Sequence, residues 1–132
     1  MKNLLRLSLP KYSPEEIHAV YSPLLPHILE IADPLRVILF GSAVTGDFDS
    51  WSDLDFVVVL DDEANVSEIR KRLYRLRLQT DRDLEFICVT QSRFLKMKDL
   101  GGVLFVAAHE GTVLYESIPA GKNAPGTFSA EK

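Results

Sequence analysis

Two short apolar runs with no full helix between them constrain this chain most. The first run, Arg36–Phe40, stops at Gly41, and the second, Leu54–Leu60, is dense in valine. Both are typical of buried strands. The residues between them, 41–52, are rich in Gly, Ser, Thr and Asp, so they predict a turn that contains one helical turn. Consecutive strands without an intervening helix favour a mixed sheet over a strictly alternating parallel one.

Helical patterns flank these strands. Ser13-Pro14-Glu15-Glu16 is a capping box with proline at the first helical position, which predicts a helix start. Asp33-Pro34 predicts the end of a second helix at about Ala32. The other predicted elements are helices over 66–78 and 91–110, the latter interrupted at Gly101-Gly102, and strands over 84–90 and, at an edge, 112–116.

These elements predict an α+β fold. Its mixed β-sheet would have three core strands, with room for a short edge strand, and helices packed mainly on one side. A length of 132 residues suits one domain. We assign residues 1–118 to that domain. Residues 119–132 are rich in Gly, Pro, Ser and Lys, which predicts a disordered tail.

Charge and cysteine content narrow the class of protein. A net charge of −4 argues against a chain that mainly neutralises nucleic-acid phosphates, so nucleic acid is not expected as a partner. The single cysteine, Cys88, cannot form an intrachain disulfide and lies in an apolar run, which predicts a small buried side chain in a reducing compartment. We see neither a signal peptide nor a membrane span, and we expect a cytoplasmic protein that does not bind membranes.

Paired carboxylates begin the second strand. In Asp53-Leu54-Asp55-Phe56, alternation along a strand places Asp53 and Asp55 on one face, with Cα atoms about 6.6–7 Å apart. Two ionised carboxylates at this spacing repel each other. A hard divalent cation such as Mg²⁺, which prefers oxygen ligands, would neutralise that repulsion. The motif therefore predicts a metal site.

The end of the first strand predicts phosphate contacts. Gly41 allows the backbone to approach a ligand closely, and Ser42 adds a hydroxyl where a helical turn begins. Phosphoryl chemistry needs such donors together with metal-binding carboxylates. A third carboxylate is expected from the 84–90 strand. Asp83 and Glu85 share a face there, so periodicity leaves both open; we favour Glu85, which directly precedes the apolar run as Asp55 does.

These motifs together resemble a known family. Gly41-Ser42, followed after ten residues by Asp53-Leu54-Asp55, is similar to the signature of the DNA polymerase beta-like nucleotidyltransferase superfamily, and most of all to its minimal prokaryotic branch. Gly46 and the segment 110–115 also fit that branch. The resemblance covers roughly residues 37–115. Two departures are that Ala43-Val44-Thr45 replaces the usual basic residues, and that the third acidic residue is a glutamate instead of an aspartate.

The resemblance implies a metal-dependent nucleotidyltransferase. Asp53, Asp55 and Glu85 would hold two Mg²⁺ ions when nucleotide is bound, with Glu85 as base, and Gly41 and Ser42 would bind the nucleoside triphosphate. The reaction implied is transfer of a nucleoside monophosphate, AMP from ATP, to a protein or small-molecule hydroxyl with release of pyrophosphate. In the minimal branch, acceptor recognition often falls to a separate helical partner of the HEPN type, in toxin–antitoxin-like pairs.

Three alternatives stay open at this stage. One is an antitoxin enzyme that modifies a HEPN-like partner. The second is a non-catalytic binding module of the same fold that caps such a partner, which the missing basic residues after Ser42 favour. The third is a stand-alone enzyme that modifies an antibiotic or an RNA end. The partner could also be a second copy of the chain, as a homo-oligomer.

Overall fold

A computed structural model describes residues 9–117. The elements follow one another as α1 (Pro14–Tyr21), α2 (Leu25–Ala32), β1 (Arg36–Phe40), α3 (Ser42–Thr45), β2 (Leu54–Leu60), α4 (Val66–Tyr74), a 3-10 helix (Arg75–Gln79), β3 (Leu84–Thr90), α5 (Gln91–Met97), α6 (Gly102–Glu110) and β4 (Thr112–Glu116). The predicted tail, 119–132, lies outside the described residues.

Local capping signals determine the first helices. The Ser13 hydroxyl accepts from the Glu16 amide at 3.1 Å, and the Glu16 carboxylate accepts from the Ser13 amide at 2.7 Å. The predicted capping box is therefore confirmed. Helix α2 ends at Asp33, which adopts a left-handed conformation with φ 45°, as expected where proline prevents the helix from continuing.

The four strands form one mixed sheet in the order β3-β2-β1-β4. Strand β1 pairs antiparallel with both β2 and β4, whereas β2 and β3 are parallel. The antiparallel β1–β2 pair follows from the short connection between these strands, and the parallel β2–β3 pair needs the crossover that α4 supplies. The predicted fold class is confirmed, and β4 is the predicted short edge strand.

Helices cover the two faces of the sheet unequally. The first face holds the larger cluster of buried side chains, with the inward residues of α1, α2 and α4 packed on alternate residues of the strands. The second face has a smaller cluster, built on Val57 and Val59 of β2 and covered by Phe94 of α5 and Ala107 of α6. Strand alternation places Asp55 on this second, less covered face, next to Val57.

Structure and sequence differ at one helix and at Cys88. The 66–78 helix is α-helical only to Tyr74 and continues as the 3-10 helix. The predicted interruption of the 91–110 helix is confirmed: the helix is broken over residues 98–101, and Gly101 and Gly102 both have positive φ. Cys88 was predicted to be buried but is only half-buried, because β3 is an edge strand. Its strand neighbours on the same face, Leu84 and Phe86, are buried. Burial raises the pKa of the Cys88 thiol to about 11.

Across the part of the chain that the structure describes, no helix has the length and apolar character needed to cross a membrane.

Candidate functional site

The candidate site lies where β1 ends and β2 and β3 begin. Strand pairing sets Phe40 opposite Asp55 on one side and Glu85 opposite Asp55 on the other. The antiparallel and parallel pairings together bring the end of β1 and the starts of the next two strands to one edge of the sheet. Gly41, Asp55 and Glu85 therefore lie at one end of the sheet, with Asp53 directly before β2. The assignment of Asp53, Asp55 and Glu85 as one site stays a prediction.

Asp55 is the central carboxylate of this edge. It is half-buried, while Asp53 and Glu85 are exposed. Burial, followed by the charges of Asp53 and Glu85, raises the pKa of the Asp55 carboxyl from its ordinary value of 3.8 to about 6. The three carboxylates are therefore close enough to interact electrostatically, and Asp55 experiences the charges of both others.

Gly41 makes room for Asp55. Its φ of 79° lies in the left-handed region, which favours glycine. A Cβ atom at this position would collide with the Oδ2 oxygen of Asp55. Conformation and space therefore both require glycine here, and the backbone of residue 41 lies directly against the central carboxylate.

A single helical turn follows Gly41, as predicted. Helix α3 begins at Ser42, which is half-buried, and its C-cap Gly46 has φ 95° and donates to the Ser42 carbonyl at 3.3 Å. The amides of Val44 and Thr45 donate to the Gly41 carbonyl at 2.9 and 3.1 Å. This compact turn sets Ser42 immediately beside the Gly41–Asp55 contact.

The two candidates for the third carboxylate occupy different surroundings. Glu85 is the register partner of Asp55, and its charge acts on that residue. Asp83 lies before β3, and its carboxylate forms an ion pair with Arg77 at 3.1 Å. The geometry therefore groups Glu85, and not Asp83, with Asp55.

The three carboxylates are chemically suited to bind a divalent cation. Carboxylate oxygens are the ligands that Mg²⁺ prefers, and a cation between Asp53, Asp55 and Glu85 would offset the repulsion that acts on Asp55. As the side chains stand, however, no three His, Cys, Asp or Glu residues within 9–117 are grouped so that they could hold a metal ion.

The contacts within the turn before Asp53 were not predicted from the sequence. Asp49 and Ser52 are buried there, and the Asp49 amide donates to the Ser52 hydroxyl at 2.9 Å. The Arg82 guanidinium donates to the carbonyl oxygens of both residues. In the sequence Arg82 stands between two aspartates in a polar stretch, which gives no signal of such contacts.

A pocket opens beside this turn. Its volume is about 350 Å³, within the roughly 300–1,000 Å³ range of small-molecule sites. It extends from Asp53 to the segment that precedes β3. Its lining consists of Ser50, Trp51, Ser52, Asp53, Asp81, Arg82 and Asp83.

Comparison with known proteins identifies the family. The profile described as nucleotidyltransferase domain matches residues 25–103, more than half of the 132-residue chain. Among solved structures, the chain is similar to a protein from Sulfolobus solfataricus provisionally assigned as a nucleotidyltransferase, with a TM-score of 0.49 and 18% identity over 78% of this chain and 83% of that chain. No curated protein gives a match. The family predicted from Gly41-Ser42 and Asp53-Leu54-Asp55 is confirmed, and the chain belongs to the nucleotidyltransferase domain family.

Proposed function

We propose that the chain transfers a nucleoside monophosphate, AMP from ATP, to a hydroxyl group of a protein or small molecule. One observation carries this proposal: the half-buried Asp55 lies between Gly41 and Glu85 and experiences the charges of two further carboxylates. An acidic group of this kind, directly beside the Gly41 backbone, suits a metal-bound triphosphate.

In this proposal, Asp53, Asp55 and Glu85 would hold two Mg²⁺ ions together with the nucleotide. When bound, such ions neutralise phosphate charge and orient the reacting oxygens. Gly41 lets the triphosphate approach the backbone, and the Ser42 hydroxyl donates to a phosphate oxygen. These roles use the positions that the structure gives to the end of β1 and to the first residue of α3.

Glu85 is the proposed base. Its carboxylate is exposed at the start of β3 and can accept the proton of the acceptor hydroxyl. The hydroxyl oxygen then forms a bond to the α-phosphorus of ATP, the bond from that phosphorus to the bridging oxygen breaks, and pyrophosphate leaves. The products are the AMP-modified acceptor and pyrophosphate, and the proton resides on Glu85 until solvent removes it.

The acceptor belongs to a second molecule in this proposal. We favour a helical protein of the HEPN type, in a toxin–antitoxin-like pair that acts in the cytoplasm; a second copy of the chain is the other choice. Exposed apolar side chains on the second face support a protein partner. They include Val103, Phe105 and Val106 of α6, together with Leu95 and Leu100.

The same surface favours a second candidate function, a non-catalytic module that caps such a partner. Helix α6 carries apolar residues nearly all around its axis, a pattern usual for buried helices. Phe105 and Val106 are nevertheless exposed there. Ala43, Val44 and Thr45 also leave α3 without a basic side chain for the triphosphate.

Incubation of the purified chain with α-labelled ATP, Mg²⁺ and a candidate helical partner separates these functions. We expect label on the partner and an equal amount of pyrophosphate. Asp53→Asn should abolish both, whereas Glu30→Gln, which changes an exposed carboxylate on α2, should leave both unchanged. Partner binding without transfer, under any nucleotide and metal, would leave the capping function standing instead.

A further inference from the structure

Arg82 makes two hydrogen bonds to the turn that precedes Asp53. Its Nη1 donates to the Asp49 carbonyl at 2.9 Å and to the Ser52 carbonyl at 2.7 Å. Arg82 itself lies in the segment that leads into β3. One guanidinium therefore joins the turn before β2 to the start of the strand that carries Glu85.

Aromatic side chains fix the plane of this guanidinium. Its Cζ lies 4.6 Å from the ring centre of Phe48 and 5.5 Å from that of Tyr12. Nη2 donates to the Tyr12 hydroxyl at 3.4 Å, and Phe48 is fully buried. A planar group held against two rings has little freedom to rotate, so the two bonds to the carbonyls keep their direction.

The turn that Arg82 contacts is also ordered internally. The Trp51 amide donates to the Asp49 carboxylate at 2.8 Å, and the Ser52 amide donates to the Asp49 carbonyl at 3.1 Å. Lys11 forms an ion pair with the same carboxylate at 3.5 Å. Asp49–Ser52 therefore moves as one unit, and a displacement of this unit would be transmitted directly to residue 53.

Asp53 is held from both sides by the segment before β3. On one side, the Ser52 carbonyl accepts from Arg82. On the other, the Leu54 amide donates to the Asp83 carbonyl at 3.0 Å. Because residues 82 and 83 also lead directly into Glu85, the distance between Asp53 and Glu85 depends on this pair of contacts.

We propose that Arg82 is a positioning residue that sets Asp53 relative to Glu85 for cation binding. The inference rests on the proposed function, since it assigns Arg82 to the same site. Lysine cannot replace it, because an ammonium group lacks the planar surface that contacts the two rings and the second nitrogen that reaches Tyr12 while Nη1 donates to both carbonyls. Arg82→Lys keeps the charge and removes the geometry, which makes it the informative variant.

The test is binding of Tb³⁺, a luminescent substitute for a hard cation, to the full chain. Trp51 is the only tryptophan of the chain and lies two positions from Asp53, so its excitation sensitises Tb³⁺ bound there. We expect Arg82→Lys to weaken Tb³⁺ binding about tenfold, the lower end for groups that orient metal ligands. The Mg²⁺ concentration for half-maximal transfer should rise by a similar factor. Arg72→Lys, which makes the same change at an exposed arginine of α4, is the matched control and should bind as the wild type does.

A second measurement separates positioning from general support of the fold. In an Asp53→Asn background, Arg82→Lys should cause no further loss of Tb³⁺ binding, because the residue that it positions is already gone. Unchanged Tb³⁺ binding by Arg82→Lys, an equal further loss in both backgrounds, or no Tb³⁺ binding by the wild type would overturn the inference. If the wild type binds Tb³⁺ in the Arg82-dependent way and transfers no nucleotide, the proposed function fails while the positioning role stands.

Discussion

Two neighbouring strands begin with nearly the same four residues and give them different surroundings. β2 is entered through Asp53-Leu54-Asp55-Phe56, and β3 through Asp83-Leu84-Glu85-Phe86. In both, the Leu and Phe are buried on the first face of the sheet. The acidic residues differ: Asp55 is half-buried beside the end of β1, whereas Glu85 is exposed and Asp83 pairs with Arg77.

Position in the sheet causes this difference. β2 is an inner strand with a neighbour on each side, so Asp55 meets Gly41 and Glu85 together. β3 is an edge strand, so its acidic residues have a neighbouring strand on one side and solvent on the other. The same local pattern therefore gives a half-buried carboxylate with a raised pKa on the inner strand and exposed carboxylates on the edge strand.

The largest effect is expected for Asp55→Asn. The amide keeps the size of the side chain and removes the charge that would hold the cation. The rate of transfer should fall at least on the order of 10²–10³, the scale for loss of one preorganised electrostatic contact. A labelled-ATP assay measures it, and a rate within threefold of wild type would remove Asp55 from the proposed site.

The next prediction contrasts the two acidic residues of β3. Glu85→Gln should slow transfer about 10²-fold, in keeping with loss of a general base. Asp83→Asn should leave the rate within about twofold, because a surface ion pair such as that of Asp83 with Arg77 contributes little. The same assay decides between them: the opposite ranking would make Asp83 the third carboxylate.

A smaller effect concerns stability without metal. The folded-state pKa of Asp55, about 6, exceeds its ordinary value of 3.8. The folded chain therefore binds more protons than the unfolded chain in this window, and stability falls as pH rises from about 4 to 6. Asp55→Asn removes this dependence and, after discounting for solvent screening, should stabilise the chain by about 1 kcal/mol at pH 7. Urea unfolding of the wild type and of Asp55→Asn at pH 4 and pH 7 measures the change in stability. If both proteins lose the same stability between these pH values, Asp55 is not the cause of the pH dependence.

The smallest effect is expected for a change in stability at Asp83, just before the edge strand β3. Asp83→Asn removes an exposed ion pair with Arg77 and should lower stability by about 0–1 kcal/mol. It should leave the pH dependence between pH 4 and 6 as it is in the wild type, and urea unfolding again measures the change. A destabilisation of several kcal/mol would show that the Asp83 side chain has a structural role that its exposure does not indicate.

Local signals were sufficient to predict most elements. Strands β1, β2 and β3 match their predicted bounds, because each is an apolar run that ends at glycine or at polar residues. The capping box at Ser13 was also predictable from local sequence. Contacts between residues distant in sequence could not be predicted. Strand alternation placed Asp83 and Glu85 on the same face, and only the parallel register of β2 and β3 shows that Glu85 is the partner of Asp55. Nothing near Arg82 in the sequence indicates that it reaches back to Asp49 and Ser52.

The parallel pairing of β2 with β3 also has a consequence for the newly synthesised chain. All of α4 lies between Asp55 and Glu85 in the sequence, so the two become neighbours only after the ribosome has released the crossover and β3 has added to the sheet edge. A nascent chain that ends within α4 already carries Gly41, Asp53 and Asp55 but lacks the proposed base. Under the proposed function, an unfinished chain would therefore lack nucleotide transfer, which would begin only when the edge strand β3 has paired with β2.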